Sequence, residues 1–390
     1  MRVPLLKLLA LALSGAMGCN AVEDHDSTVN TANTASAATY WHAGNFRMLP
    51  SMTHDLVSFV SWLDHPSAGG YGKVSSTRAP NFTAFLDMLF TATKDSIADG
   101  DTGDWCGVQD FAASAGYAVR RFYDLGTGRW FVYAYDTTQY GQAYFFINPF
   151  AKRNIVVEVP HEPYDESTAV QGARIFTSLA ARALLINKEH RCSDPDTSLC
   201  SGTSTACGGG GFRESDVAHH TQNTFHLLHT WLSDHDPTAR FFQLHGMSGA
   251  RNDMAEVADS TAFDVNCSSV SVTFANNLTK YVPTPTSVYS CQQFSGDPPS
   301  AFCAETNVQG RYTNNPTGDA CMTSAWSYSG RFLALEQAPS LRDEDDVDGW
   351  YWGDVRDALR DTWPDCNMNN GATDCTLGAV QTQYSDLACP

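Results

Sequence analysis

Apolar positions change their rhythm near residue 144. Before that point, helical spacing predicts two helices, near Thr53–Leu63 and Asn81–Ile97. A loop at "DGDTGDWCG" follows, and then a hairpin, "YAVRRFYD" and "WFVYAYD", joined by the turn "LGTGR". From Tyr144 on, apolar runs read as strands: "AYFFINP", "RNIVVEVP", "RALLINK", "RFFQLHG", "SVSVTF" and "RFLALEQ". Between them, "STAVQGARIFTSLAARA" and "TQNTFHLLHTWLSD" carry helical spacing, the first with Ser167 or Thr168 as cap. Nearly continuous apolar strands alternating with helices predict an α/β fold, a mostly parallel or mixed central sheet flanked by helices. The same rhythm sets expected boundaries: an N-terminal helical and hairpin region over 40–140, an α/β domain over 141–342 and an acidic, disulfide-bridged extension over 343–390.

Composition adds a compartment. The first 19 residues, "MRVPLLKLLALALSGAMGC", join two basic residues to an apolar run too short to span a membrane. They read as a lipoprotein signal peptide with Cys19 as the lipidated residue. Residues 20–39 are polar and of low complexity, as a flexible tether would be. The expected location is the cell envelope, outer membrane or periplasm, or outside the cell, with the membrane met only through the lipid. Twelve cysteines without a CxxC pair fit disulfides in an exported protein better than a structural zinc cluster. Local candidates are Cys192 with Cys200 or Cys207, Cys291 with Cys303, and Cys366 with Cys375, leaving isolated Cys106 as the expected odd thiol. A net charge of −19 argues against nucleic acid as partner.

Chemistry concentrates where strands end. "NIVVEVP" runs into His161, with Asp165 and Glu166 close behind; "RFFQL" ends at His245, and "RFLAL" at Glu336. In parallel sheets, sites form beyond these carboxyl ends. A catalytic Zn2+ takes three nitrogen or carboxylate ligands and needs a base nearby. His161, Glu166 and His245 are the expected ligands and Glu336 the base.

This order of histidine, glutamate, distant histidine and late glutamate resembles the zinc carboxypeptidase-like hydrolases. That superfamily includes carboxypeptidases, N-formylglutamate amidohydrolase-like enzymes and phage poly-γ-glutamate hydrolase. The His-x4-Glu spacing of His161 and Glu166 looks like the poly-γ-glutamate hydrolase branch, and Asp165 stays open as the alternative ligand. The resemblance spans roughly 144–342. It implies hydrolysis of an amide bond in a small molecule or peptide: a peptide, γ-glutamyl or N-acyl amino-acid bond. It also implies an arginine, sometimes an Asn-Arg pair, for a substrate carboxylate. Asn187 and Arg191 in "LLINKEHRC", and Asn307 and Arg311 in "TNVQGR", are the candidates.

Competing readings are specific. "LHGMSGA" resembles a nucleophile elbow with Ser248, but no histidine follows His245, which removes the usual triad order. His226 and His229 stand i, i+3 on one helix without a carboxylate to complete a chelate. His219 precedes that helix, either lining the site or lying near the helix start. A surface lipoprotein that binds without catalysing would need neither zinc nor Glu336.

Overall fold

The computed structural model describes residues 49–63, 71–98, 104–138, 142–187, 189–247, 254–262, 266–282, 287–293, 302–342 and 351–365. The signal peptide, Cys19, the tether and Ser248 lie outside them, as do Cys366 and Cys375. Among the described residues, no helix is long and apolar enough to cross a membrane.

One ten-stranded mixed sheet organises the chain, in the order β1-β2-β3-β4-β6-β5-β7-β10-β8-β9. Its strands are β1 (Ser51–His54), β2 (Tyr117–Asp124), β3 (Arg129–Asp136), β4 (Tyr144–Ile147), β5 (Arg153–Val159), β6 (Ala181–Ile186), β7 (Arg240–Gly246), β8 (Met254–Ala258), β9 (Ser287–Ser290) and β10 (Phe332–Gln337). At the centre β6, β5, β7 and β10 run parallel. The β2–β3 hairpin joins through β4, antiparallel on both sides, so the N-terminal region shares the sheet of the α/β body.

Residues alternate between two buried faces, as the strand period requires. Val157, Val159, Phe242, Leu244, Leu333 and Leu335 meet α1 (Leu56–Trp62), α4 (Thr168–Ser178), α6 (Val270–Tyr281) and α8 (Tyr351–Thr362). Val156, Phe241, Phe332 and Ala334 lie under α2 (Arg78–Ala98), α3 (Trp105–Ser114), α5 (Thr224–His235) and α7 (Val308–Asn314). Helix α8 belongs to this body: Val355, Ala358, Leu359 and Trp363 are buried in the first core.

Several expectations need correction. "SVSVTF" is not a strand. It opens α6, where Ser269 caps the helix and Val270, Phe274 and Leu278 form its buried stripe. Apolar residues at i, i+2 and i+4 fit both periods, and Leu278 four further on decides for the helix. The segment 53–63 begins as strand β1 and turns helical only after Asp55, whose side chain accepts the Ser58 amide. Of the expected loop "DGDTGDWCG", residues 99–103 lie outside the described residues; Asp104 caps α3 by accepting the Gly107 amide, so its last three residues are helical. The helix expected through Ala183 ends at Ser178, and Ala180 at φ 45° turns the chain into β6.

Disulfides join Cys192 to Cys207, Cys291 to Cys303 and Cys200 to Cys321. The last spans 121 residues and has no local sequence signal. Cys106 is disulfide-bonded, contrary to expectation, and the free thiol among the described residues is exposed Cys267.

Candidate metal centre

On the face covered by α5 and α7, the sheet turns polar towards its carboxyl end. Val156, Phe241 and Phe332 give way to Glu158, to Gln243 and His245, and to Glu336. Strand register lines these up: Glu158 pairs with Gln243, and Glu336 with His245. Three neighbouring strands therefore present one polar patch above an apolar core.

His161 arrives just past β5. The Asp165 amide closes a single turn on the His161 carbonyl at 2.7 Å. At 3.6 residues per turn, a residue four on sits about 40° round the helix and one five on about 140°. Asp165 therefore stacks beside His161, while Glu166 swings outward and is exposed. Ser167, at φ 68°, breaks the turn before α4 starts. Arg342 pins this corner by donating to the Glu166 and Met247 carbonyls. It lies over Gly246, where a Cβ would come within 2.4 Å of its guanidinium carbon.

The result is a tight triangle. His161 Nδ1 and His245 Nδ1 are 3.2 Å apart, and Asp165 Oδ2 lies 3.5 Å from the first and 3.7 Å from the second. Each ring turns its other nitrogen outward at 2.8 Å, His161 Nε2 to Asp216 Oδ1 and His245 Nε2 to Gln243 Oε1. Those oxygens accept, so both Nε2 atoms carry the proton and both Nδ1 atoms offer lone pairs. Asp165 Oδ2 is buried and without a hydrogen-bond partner. Three inward-facing acceptors with an orphaned carboxylate oxygen are stable only around a proton or a cation. For metal bonds of about 2.0–2.1 Å, tetrahedral donors lie about 3.3 Å apart. The observed edges fit.

Electrostatics point the same way. Burial alone would raise the Asp165 pKa, but His161 and His245 outweigh it and hold the carboxyl well below the usual range. Burial pushes His245 down to about 4. Burial also pulls on His161, but Asp216 and Asp165 prevail, so its pKa is raised. Glu336 is half-buried; burial first, then the Asp165 charge, lift it to about 8.

Behind the triangle stands Asp216, which sequence reasoning missed. It accepts from His161, from His219 Nδ1 at 2.9 Å, and from both Nε and Nη2 of Arg191. Against the cost of burial, Arg191 foremost keeps its pKa far below the carboxylate norm. Asp216, Arg191 and His219 all sit on the long excursion between β6 and α5. That segment has little apolar core of its own, and two disulfides brace it. His219 stacks on Phe212 at 3.8 Å.

The other candidates fall as follows. Arg191 lies 11 % exposed against the Tyr164 ring, and its Nη1 has no hydrogen-bond partner among the described residues. Asn187 is fully buried and donates to the Glu189 carbonyl. Arg311 is consumed by the carbonyls of Glu305, Ala320 and Cys321, which makes it a brace for the disulfide loop rather than a substrate ligand. His229 pairs with Glu158 and Thr313, not with His226.

No protein-family profile matches this sequence, and neither does any curated protein sequence. Among solved structures, the chain is similar to a bacteriophage poly-γ-glutamate hydrolase, at 9 % identity over 57 % of this chain and 87 % of that one, TM-score 0.31. It is similar to N-formylglutamate amidohydrolase from Ralstonia eutropha JMP134, at 12 % identity, 57 % and 97 % coverage and TM-score 0.34. A metallo-carboxypeptidase from Pseudomonas aeruginosa, in complex with (2-guanidinoethylmercapto)succinic acid, gives 11 % identity, 67 % of each chain and TM-score 0.29.

Proposed function

We propose that this chain is a zinc-dependent hydrolase of an amide bond, in a peptide, a γ-glutamyl compound or an N-acyl amino acid. The observation that carries the metal is the triangle of inward-facing acceptors on His161, Asp165 and His245, with Asp165 in the place expected for Glu166. Two imidazole nitrogens and one carboxylate oxygen suit zinc, and three protein ligands suit a catalytic rather than a structural ion. The amide rests on the resemblance in residue order.

A bound zinc supplies Lewis acidity to the carbonyl and to the attacking water. The chain's own residues do the rest. Glu336, in register with His245, takes the proton of the attacking water and returns it to the leaving amine. Its ionisation is opposed by burial first and then by the Asp165 charge, and a cation bound at Asp165 would relieve the second of these. Asp216 holds the His161 ring in place. Arg191 spends Nε and Nη2 on Asp216 and turns Nη1 to a substrate oxygen, either a carboxylate or the scissile carbonyl.

The test combines metal analysis with a screen of peptides, γ-glutamyl compounds and N-acyl amino acids. We expect about one zinc per chain. Turnover should be lost on chelation, and Glu336→Gln should keep the metal and lose about 10²–10⁴-fold in rate. A protein that holds no metal, or a glutamine variant with wild-type turnover, contradicts the reading.

A further inference from the structure

A histidine binds a metal through Nδ1 only if its proton sits on Nε2. What decides this for His245 is not local to the triangle. Its Nε2 faces the side-chain amide of Gln243, two residues earlier on the same strand. An amide presents either an oxygen or an NH2 to that nitrogen, and the two choices give opposite tautomers. Two independent neighbours remove the choice.

The first is the start of α7. Asn307 caps that helix, and its Oδ1 accepts the Gly310 backbone amide at 2.9 Å. A backbone N–H only donates, so Asn307 must turn Nδ2 to its other neighbour, which is Gln243 Oε1. The helix start is held close: a Cβ on Gly310 would come within 2.2 Å of Ser260 Oγ and 2.7 Å of Phe332. The second neighbour is Glu158, whose Oε2 takes the Gln243 Nε2 hydrogen at 3.1 Å. Gln243 is fully buried, Asn307 nearly so, and no solvent competes for either.

We infer that Asn307 and Gln243 are positioning residues that set the tautomer of His245, so that a backbone amide of α7 dictates that the ring nitrogen facing the triangle keeps its lone pair for a metal. The inference rests on the metal-centre reading above. It gives the buried polar chain on this face a purpose beyond packing. It also removes Asn307 from the candidates for contact with substrate.

The test uses the purified wild-type protein, Gln243→Met and Asn307→Ser. Methionine fills the space without an accepting oxygen. Serine keeps a cap for the Gly310 amide but cannot reach Gln243, which is then free to flip. Nitrogen-15 spectra of the chelated proteins report the tautomer, and competition titration reports zinc affinity. In wild type, His245 should be protonated at Nε2. Both variants should populate the other tautomer and bind zinc about 10–100-fold more weakly, the usual cost of losing a partner behind a ligand. The spectra stay informative even where a variant's stability falls. Wild-type His245 protonated at Nδ1 would overturn the inference. So would variants that match wild-type zinc affinity while Asp165→Asn has lost it. If wild type and Asp165→Asn bind zinc equally, or neither binds it, the metal-centre reading itself fails and the inference falls with it.

Discussion

Asp216 accepts the Nε2 hydrogen of His161 at 2.8 Å from 55 residues away in sequence, and the same carboxylate receives Arg191 and His219. One buried group thus orients a ring of the triangle and a guanidinium together. Substituting Asp216→Asn forces a conflict. If the amide oxygen stays with His161, the NH2 faces Arg191. If it flips, the NH2 meets the His161 proton and turns the ring over. We expect zinc affinity to fall about 10–100-fold, read by titration against a competing chelator. Unchanged affinity would reduce Asp216 to a loop support.

Asp165 and Glu166 are adjacent carboxylates with opposite surroundings, one buried in the triangle and one exposed. Asp165→Asn should strip the metal from the purified protein. Glu166→Gln should leave its content near one per chain, because three ligands remain. Metal analysis of the two variants separates them, and the reverse result would return the ligand role to Glu166.

The metal-free protein should show a pH signature from Glu336. Its pKa is raised in the folded state to about 8 from an ordinary 4.5. Below the ordinary value both states are protonated and the group contributes nothing. As pH rises above it, the unfolded chain releases the proton and the folded one retains it, so stability falls. The fall ends near the folded value. Glu336→Gln cannot titrate. In chelator, it should therefore gain stability relative to wild type as pH rises from about 4.5 to about 8. Denaturant melts across that range check the sign; parallel curves would show that Glu336 is not held protonated by its surroundings.

Much of the candidate site's geometry was legible because it follows strand periodicity. "IVVEV", "FFQLH" and "FLALE" each place a polar side chain on one face of an otherwise apolar strand, and His245 and Glu336 were read from that pattern. The same alternation carries Glu158 and Gln243, one residue inside the end of β5 and three inside the end of β7. Attention to termini alone passed them over. That Asp165 and not Glu166 faces the triangle turns on one hydrogen-bonded turn, which residue types do not announce, although the i, i+4 relation to His161 was there to be seen. Asp216 had no signal at all. It lies in a loop whose course is set by Cys200–Cys321, a pairing between distant segments. Arg311 showed the reverse failure: an exposed-looking arginine proves to be a buried brace.

His161 and Asp165 form within one turn, whereas His245 joins them from 84 residues further along the chain. The closing donor is therefore brought in by non-local pairing of β5 with β7, the slow kind of contact in folding. A nascent chain that has emerged only as far as α4 holds two weak donors and no site. A metal held by this triangle would be captured only after the parallel strands have docked, so it would not template the sheet. Its binding energy would fall on the finished state, slowing unfolding and leaving the rate of folding nearly untouched.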